Sequence, residues 1–220
     1  MRIYTYHNHH TEKNRRTKRK KPAARICAAL VLCIPLLLAG CASPASLKEK
    51  EPLENVSALT VGSSLAVKNI DQSYALTANN STLAADGLFY VSWGLGGHEP
   101  FENSDGETVE LYDANLYLLL GESKTSAAAQ ENTALWMDAA GTNYDIVNTE
   151  DISCNGQDYT LITYNLTGGE NPYSRGMSVF ATHDTASVCV ELTCRDYFAD
   201  DLKTILTDFL ENCSYITEEE

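Results

Sequence analysis

The stretch "GMSVFATHDTASVCVELTCRDYFADDLKTILTDFLENCSY", residues 176–215, decides the fold. In "ASVCVELTC", Val188, Val190, Leu192 and Cys194 share one parity, and Cys189, Glu191 and Thr193 share the other. That is the alternation of a strand with one buried side. The run before it, "GMSVFAT", is also strand-like, and the two meet at a turn near His183-Asp184. Then the period changes. Leu202, Ile205, Leu206, Phe209 and Cys213 recur at helical spacing, while Lys203, Thr204, Thr207, Asp208 and Glu211 fall mostly on the opposite face. Asp200 stands where it can cap this helix, and acidic residues there suit the helix dipole. A hairpin followed by an amphipathic helix places the helix on the sheet's apolar side.

Working upstream, "DIVNTEDISCNGQDYTLITYNL" holds Asn155-Gly156 between two strand-like runs. Asn-Gly accepts the positive φ angles of a two-residue hairpin turn. Before that, "SAAAQENTALWMDAAG" is rich in Ala, the best helix former, and Gly141 supplies a stop. A helix is expected over 126–140, with Ala128, Leu135, Trp136 and Ala139 roughly on one face. From Leu59 to Leu120 the chain offers short runs of β-branched and aromatic residues broken by Gly and Asn. Val109, Leu111, Ala114, Leu116 and Leu118 are its candidate core positions. The expected class is α+β: an antiparallel β-sheet built of hairpins, with about two helices packed on one face. The alternative is an immunoglobulin-like β-sandwich in the first half. The order from Asp151 to Tyr215 (two hairpins, a helix, then the short "FLENCSY" segment) resembles the PsbP/Mog1-like fold. That resemblance covers about a third of the chain as a pattern. It implies a binding or assembly scaffold more than an enzyme.

The N-terminus carries an address. Residues 11–25, "TEKNRRTKRKKPAAR", are densely basic, and residues 26–40, "ICAALVLCIPLLLAG", carry no charge. A spanning helix needs about 20 apolar residues, so this run is short, and Pro35 interrupts it. A positive head, a short apolar middle and a small-residue exit make a secretory leader. Leu38-Ala39-Gly40-Cys41 resembles the lipobox of bacterial lipoproteins. The resemblance implies a diacylglycerol thioether on Cys41 and cleavage just before it. Cys27 lies too early, and Cys33 follows the bulky Leu32. The expected divisions are a cleaved leader (1–40), a disordered tether (41–55), one globular domain (56–217) and an acidic tail (218–220). The expected location is the extracytoplasmic side of a bacterial membrane, held by lipid. Ala42 after the lipid cysteine leaves an outer membrane open if the host has one.

The leader masks the charge of the rest. It holds nine of the 16 Lys and Arg residues and one of the 30 Asp and Glu residues. What remains has seven basic and 29 acidic side chains, a net charge of −22. Such a surface repels nucleic acid and draws cations or basic partners. Four cysteines fall in the domain, Cys154, Cys189, Cys194 and Cys213, with no C-x-x-C among them. Export would permit disulfides, and the pairing is open. Cys189 and Cys194 differ in parity and should not pair with each other.

Catalytic motifs are hard to find. There is no G-x-S-x-G and no H-E-x-x-H. "GESKTS" lacks the second Gly before Lys that a phosphate loop needs. The stretch "GLGGHEPFENSDGETVE" gathers Glu99, Glu102, Asp105, Glu107 and Glu110. Aligned on Gly106, an EF-hand would need ligands at Phe101 and Tyr112, which cannot serve. No metal site or cofactor is expected, beyond the covalent lipid. Trp93, His98, Phe101 and Tyr173 lie in or beside Gly- and Pro-rich turns and are the candidate ligand-binding residues. Trp93 also shares its parity with Phe89 and Val91, as a core residue would. The expected function is a membrane-anchored, non-catalytic binding or assembly module for a protein or glycan. The alternatives are an envelope hydrolase with a carboxylate pair from this acidic loop, or a calcium-stabilised domain.

Overall fold

A computed structural model describes residues 53–82, 87–103, 106–166 and 172–216. The expected leader, the lipobox residues Leu38, Ala39, Gly40 and Cys41, the tether up to residue 52 and the acidic tail lie outside the described residues. At Asn55, the last residue of the expected tether, Oδ1 accepts the N–H of Leu76 at 2.9 Å.

Turn chemistry sets the strand order. Asn155 and Gly156 take φ of 50° and 76°, and they join β6 (Asp145–Cys154) to β7 (Gln157–Asn165). Asp184, at φ 47°, turns β8 (Arg175–His183) into β9 (Ala186–Cys194). Earlier in the chain, β4 (Leu88–Glu102) and β5 (Thr108–Glu122) form a hairpin, and β3 (Ala75–Asn79) lies along β4. These join in one antiparallel seven-stranded sheet of order β3-β4-β5-β9-β8-β7-β6. β5 pairs with β9, Leu118 opposite Val190, so both halves of the chain share the sheet. The immunoglobulin-like alternative is thereby corrected: the first half forms no sandwich of its own. A small second sheet joins β1 (Leu59–Val61), β2 (Leu65–Val67) and β10 (Cys213–Tyr215) in the order β1-β2-β10.

Two helices are described; the expected face of the first needs revision, and the second buries Leu202, Leu206 and Phe209 as its spacing predicts. α1 (Ser126–Asn143) is capped by the Thr125 hydroxyl, which accepts from the Ala128 N–H. It runs through Gly141, where an added side chain would meet open space, and ends at the extended Tyr144. Its buried residues are Ala129, Thr133, Trp136 and Ala140. The expected face shared only Trp136 with these, because alanines all round the helix leave little contrast to read. α2 (Leu202–Glu211) is capped by Asp201, one residue later than expected. Asp201 accepts from the Lys203 N–H at 3.0 Å and from the Thr204 hydroxyl at 2.9 Å.

The helices do not lie on one face of the sheet. α2 joins a large apolar core with Trp93, Leu116, Leu118, Leu120, Val190 and Leu192. α1 joins a smaller one with Tyr117, Leu119, Ile162, Tyr164, Phe180 and Cys189. Neighbouring residues of β5 and β9 are thus divided between the two cores, as strand pleating requires. β9 is buried along its whole length, so neither of its faces is left to solvent. Four thiols, Cys154, Cys189, Cys194 and Cys213, are buried and unbridged. Cys189 falls in the α1 core and Cys194 in the α2 core, as their parity predicts.

Candidate functional site

One end of the sheet carries a connected, partly exposed polar network. β4 bulges between Leu95 and His98, opposite Asp113 of β5. Gly96 takes φ 80°, a left-handed conformation that glycine adopts without strain. The bulge turns the Gly97 N–H onto Asp113 Oδ2 at 2.6 Å. Asp113 Oδ1 accepts from the Tyr197 hydroxyl at 2.9 Å. The Tyr197 oxygen accepts from Arg195 Nη1 at 2.6 Å, and Arg195 Nη2 reaches Glu99 at 2.6 Å. Arg195 lies just beyond β9, and its backbone N–H donates to the Asp113 carbonyl. The network therefore ties three separate segments into one rigid polar surface. Arg195 Nη1 and Nη2 are both engaged, and its side chain is only 14% exposed, whereas the Glu99 side chain is 61% exposed.

His98 stands beside this network. Its Nδ1 lies 2.9 Å from Glu110 Oε2, and its ring sits 5.1 Å from that of Tyr112. Tyr112 covers Gly94, where any side chain would collide with the ring. Tyr173 is buried close to Arg195, Asp113 and Tyr197. Burial pushes its phenol up, against the pull of the Arg195 charge. His98 and Tyr173 thus belong to the same end of the sheet. Phe101 is half-buried farther along β4, opposite Val109. Trp93 is a correction: it is 1% exposed and packs edge-on against Phe209 at 5.4 Å, so it offers no face to a ligand. Its shared parity with Phe89 and Val91 was the signal for that outcome. Asp113, Arg195 and Tyr197 were missed by sequence reasoning. Only the Gly96-Gly97 pair, which marks a bulge, pointed toward them.

The acidic loop does not assemble a carboxylate pair from Glu99 and Glu110, since Arg195 holds one and His98 holds the other. Asp105 lies outside the described residues. Among the described residues, no group of three His, Cys, Asp or Glu side chains converges as metal ligands would.

A second polar cluster is sealed inside the molecule. Glu191 of β9 is 3% exposed and lies under α1. Ser178 Oγ is 3.1 Å from its Oε2, and the Tyr144 hydroxyl donates to the same oxygen at 3.3 Å. Tyr164 also bonds the carboxyl group, and its ring stacks on that of Tyr144 at 4.1 Å. Burial pushes the Glu191 carboxyl up to about 7, although these hydroxyls pull it down. The same burial, together with the Glu191 charge, pushes both phenols up, so they stay protonated and can donate. An acid so enclosed can set stability, but it has no route to a substrate.

No protein-family model matches the sequence, and no curated protein matches it. Solved structures do resemble the fold. The cyanobacterial PsbP protein CyanoP of Synechocystis sp. aligns at 14% identity with a TM-score of 0.36, covering 66% of this chain and 93% of that one. A crystal structure from Bacteroides thetaiotaomicron aligns at 9% identity with a TM-score of 0.36, covering 74% of this chain and 50% of that one. Scores of this size carry no argument about what the chain does.

Proposed function

We propose that this protein is a bacterial lipoprotein, anchored through diacylglycerol on Cys41 to the extracytoplasmic side of a membrane, and that its domain is a non-catalytic binding or assembly module. The anchoring half rests on one observation, the Leu38-Ala39-Gly40-Cys41 pattern at the end of an uncharged run too short to span. Two or more acyl chains give stable attachment without a helix. Among the described residues, no helix is long and apolar enough to cross a membrane.

The binding half is supported by the surface around Arg195. Glu99, Asp113, Arg195 and Tyr197 are held in a single arrangement by hydrogen bonds before any partner arrives. Such preorganisation lowers the ordering cost of association. The net charge of −22 beyond the leader suits a basic partner protein or a polar glycan better than nucleic acid. A PsbP-like scaffold is the finer fold reading that accompanies this function.

Fractionation of cells expressing the full chain tests the anchor. The wild-type protein should pellet with membranes, start at Cys41 and carry diacylglycerol by intact mass. Cys41→Ser should keep its leader and gain no lipid. A wild-type protein of unmodified mass would end the anchoring reading. Cross-linking in native membranes tests the module. It should return one reproducible protein or glycan partner that Arg195→Glu loses, and an empty result would end that reading.

A further inference from the structure

The two edges of the large sheet are finished very differently. β3 is five residues long, breaks register between Leu76 and Ala78, and has its Leu76 N–H capped by Asn55. β6 is ten residues long and contains neither Pro nor Lys, the usual guards of an open edge. Among the described residues its backbone pairs only with β7. Alternate residues of an edge strand turn their N–H and C=O groups outward. The bulge between Ile146 and Asn148 leaves Val147 61% exposed, an apolar side chain standing on an open rim.

Beside this edge lies a groove of about 590 Å³, walled by α1. Thr133 and Met137 come from the helix, and Phe180 comes from β8. Asp151 and Asp158 lie on the strand side. β6 itself carries Asp145, Glu150 and Asp151 without a basic residue. Lys203 reaches Glu150 at 2.8 Å, and among the described residues no ion pair engages Asp145 or Asp151.

We infer that the β6 edge is a docking strand, and that its occupant is an extended, basic segment of a partner protein. The segment would add an eighth strand to the sheet and set Lys or Arg side chains, on the face toward the groove, against Asp151 and Asp158. Main-chain hydrogen bonds supply affinity in such strand addition, and alternate side chains supply specificity. A second copy of this chain fits worse. Two β6 edges would bring six carboxylates together between bodies that each carry a net charge of −22 beyond the leader. The inference rests on the binding-module reading and goes beyond it, since β6 is a surface separate from the one around Arg195.

The probe is a nine-residue peptide alternating Lys with Thr and Val, acetylated and amidated, added to the full chain in detergent. Backbone amide exchange over residues 145–154 should slow at least tenfold. The same peptide with alternate amides N-methylated keeps its charge and should have no effect. Asp151→Lys with Asp158→Lys, both at exposed positions, should weaken binding at least tenfold without moving the melting temperature. Equal binding of the methylated peptide would reduce the effect to charge attraction and overturn the inference. So would protection at β3, no protection at all, or a dimer in sedimentation whose β6 amides are protected without peptide. Protection around Glu99 and Arg195 instead would overturn the docking strand while leaving the binding-module reading in place.

Discussion

The two faces of the large sheet are made by the same strands, yet they solve burial differently. Under α2 the core is broad and almost wholly apolar, with Trp93, Leu116, Leu118, Leu206 and Val190 essentially without exposure. Under α1 the core is smaller and wraps a carboxyl group. Glu191 sits one residue from Val190 and Leu192, and the pleat sends it the other way. The α2 face shows what hydrophobic area alone can do. The α1 face shows that a buried acid is tolerated when three hydroxyls surround it, at a cost in stability that depends on pH.

The largest test of that contrast is truncation of the two tryptophans. Trp93→Ala should cost about 3–5 kcal/mol by urea denaturation, the range for emptying a large site in a packed core. Trp136→Ala, on the helix over the smaller core, should cost less. A larger loss at Trp136 would invert the ranking of the faces.

Next comes pH. The folded Glu191 carboxyl titrates near 7, and its unperturbed value is 4.5. Between those values the folded chain holds a proton that the unfolded chain has released. Unfolding free energy should therefore rise as pH falls from about 7 toward 4.5, by up to about 1.4 kcal/mol per pH unit, and level off below that window. Glu191→Gln cannot titrate, so its curve subtracted from wild type should isolate this slope. A flat difference would mean that the acid is not enclosed as described. Substitutions on the α2 face, which buries no carboxyl group, should leave the slope intact.

Smaller effects sharpen the helix assignments. Asp201→Ala removes the α2 cap and should cost about 1 kcal/mol, read from the denaturation midpoint, whereas Asp200→Ala should cost little. Lys203→Met breaks the pair with Glu150, whose side chains are both more than a third exposed, and should change stability by less than about 1 kcal/mol.

Legibility in the sequence followed the same divide. The α2 side could be read closely, because Leu202, Leu206 and Phe209 recur at helical spacing and contrast with Lys203, Thr204 and Asp208. Asn155-Gly156 announced its hairpin for a local reason, since few other pairs accept two positive φ angles. The α1 side resisted. Its alanines fit any face, and Glu191 looked like the solvent side of a strand because polarity alone does not reveal a lid of helix above it. The polar surface at Asp113, Arg195 and Tyr197 was equally hidden, because it joins residues from β5 and the segment after β9 through tertiary contacts. His98 and Tyr173 were singled out because Gly and Pro nearby marked turns. The same cue misplaced Trp93 among the candidates, although its parity pointed inward.

The small sheet has a consequence for timing. β2 finds its partner β10 across about two thirds of the chain, with Val67 opposite Cys213. Closing so long a loop carries a large entropic toll before any pairing rewards it. A polypeptide emerging from synthesis or from a translocation channel would leave β2 waiting until residues 213–215 arrive. Closure of the small sheet then waits on residues 213–215, and the β2 edge that β10 covers stays open until they have emerged.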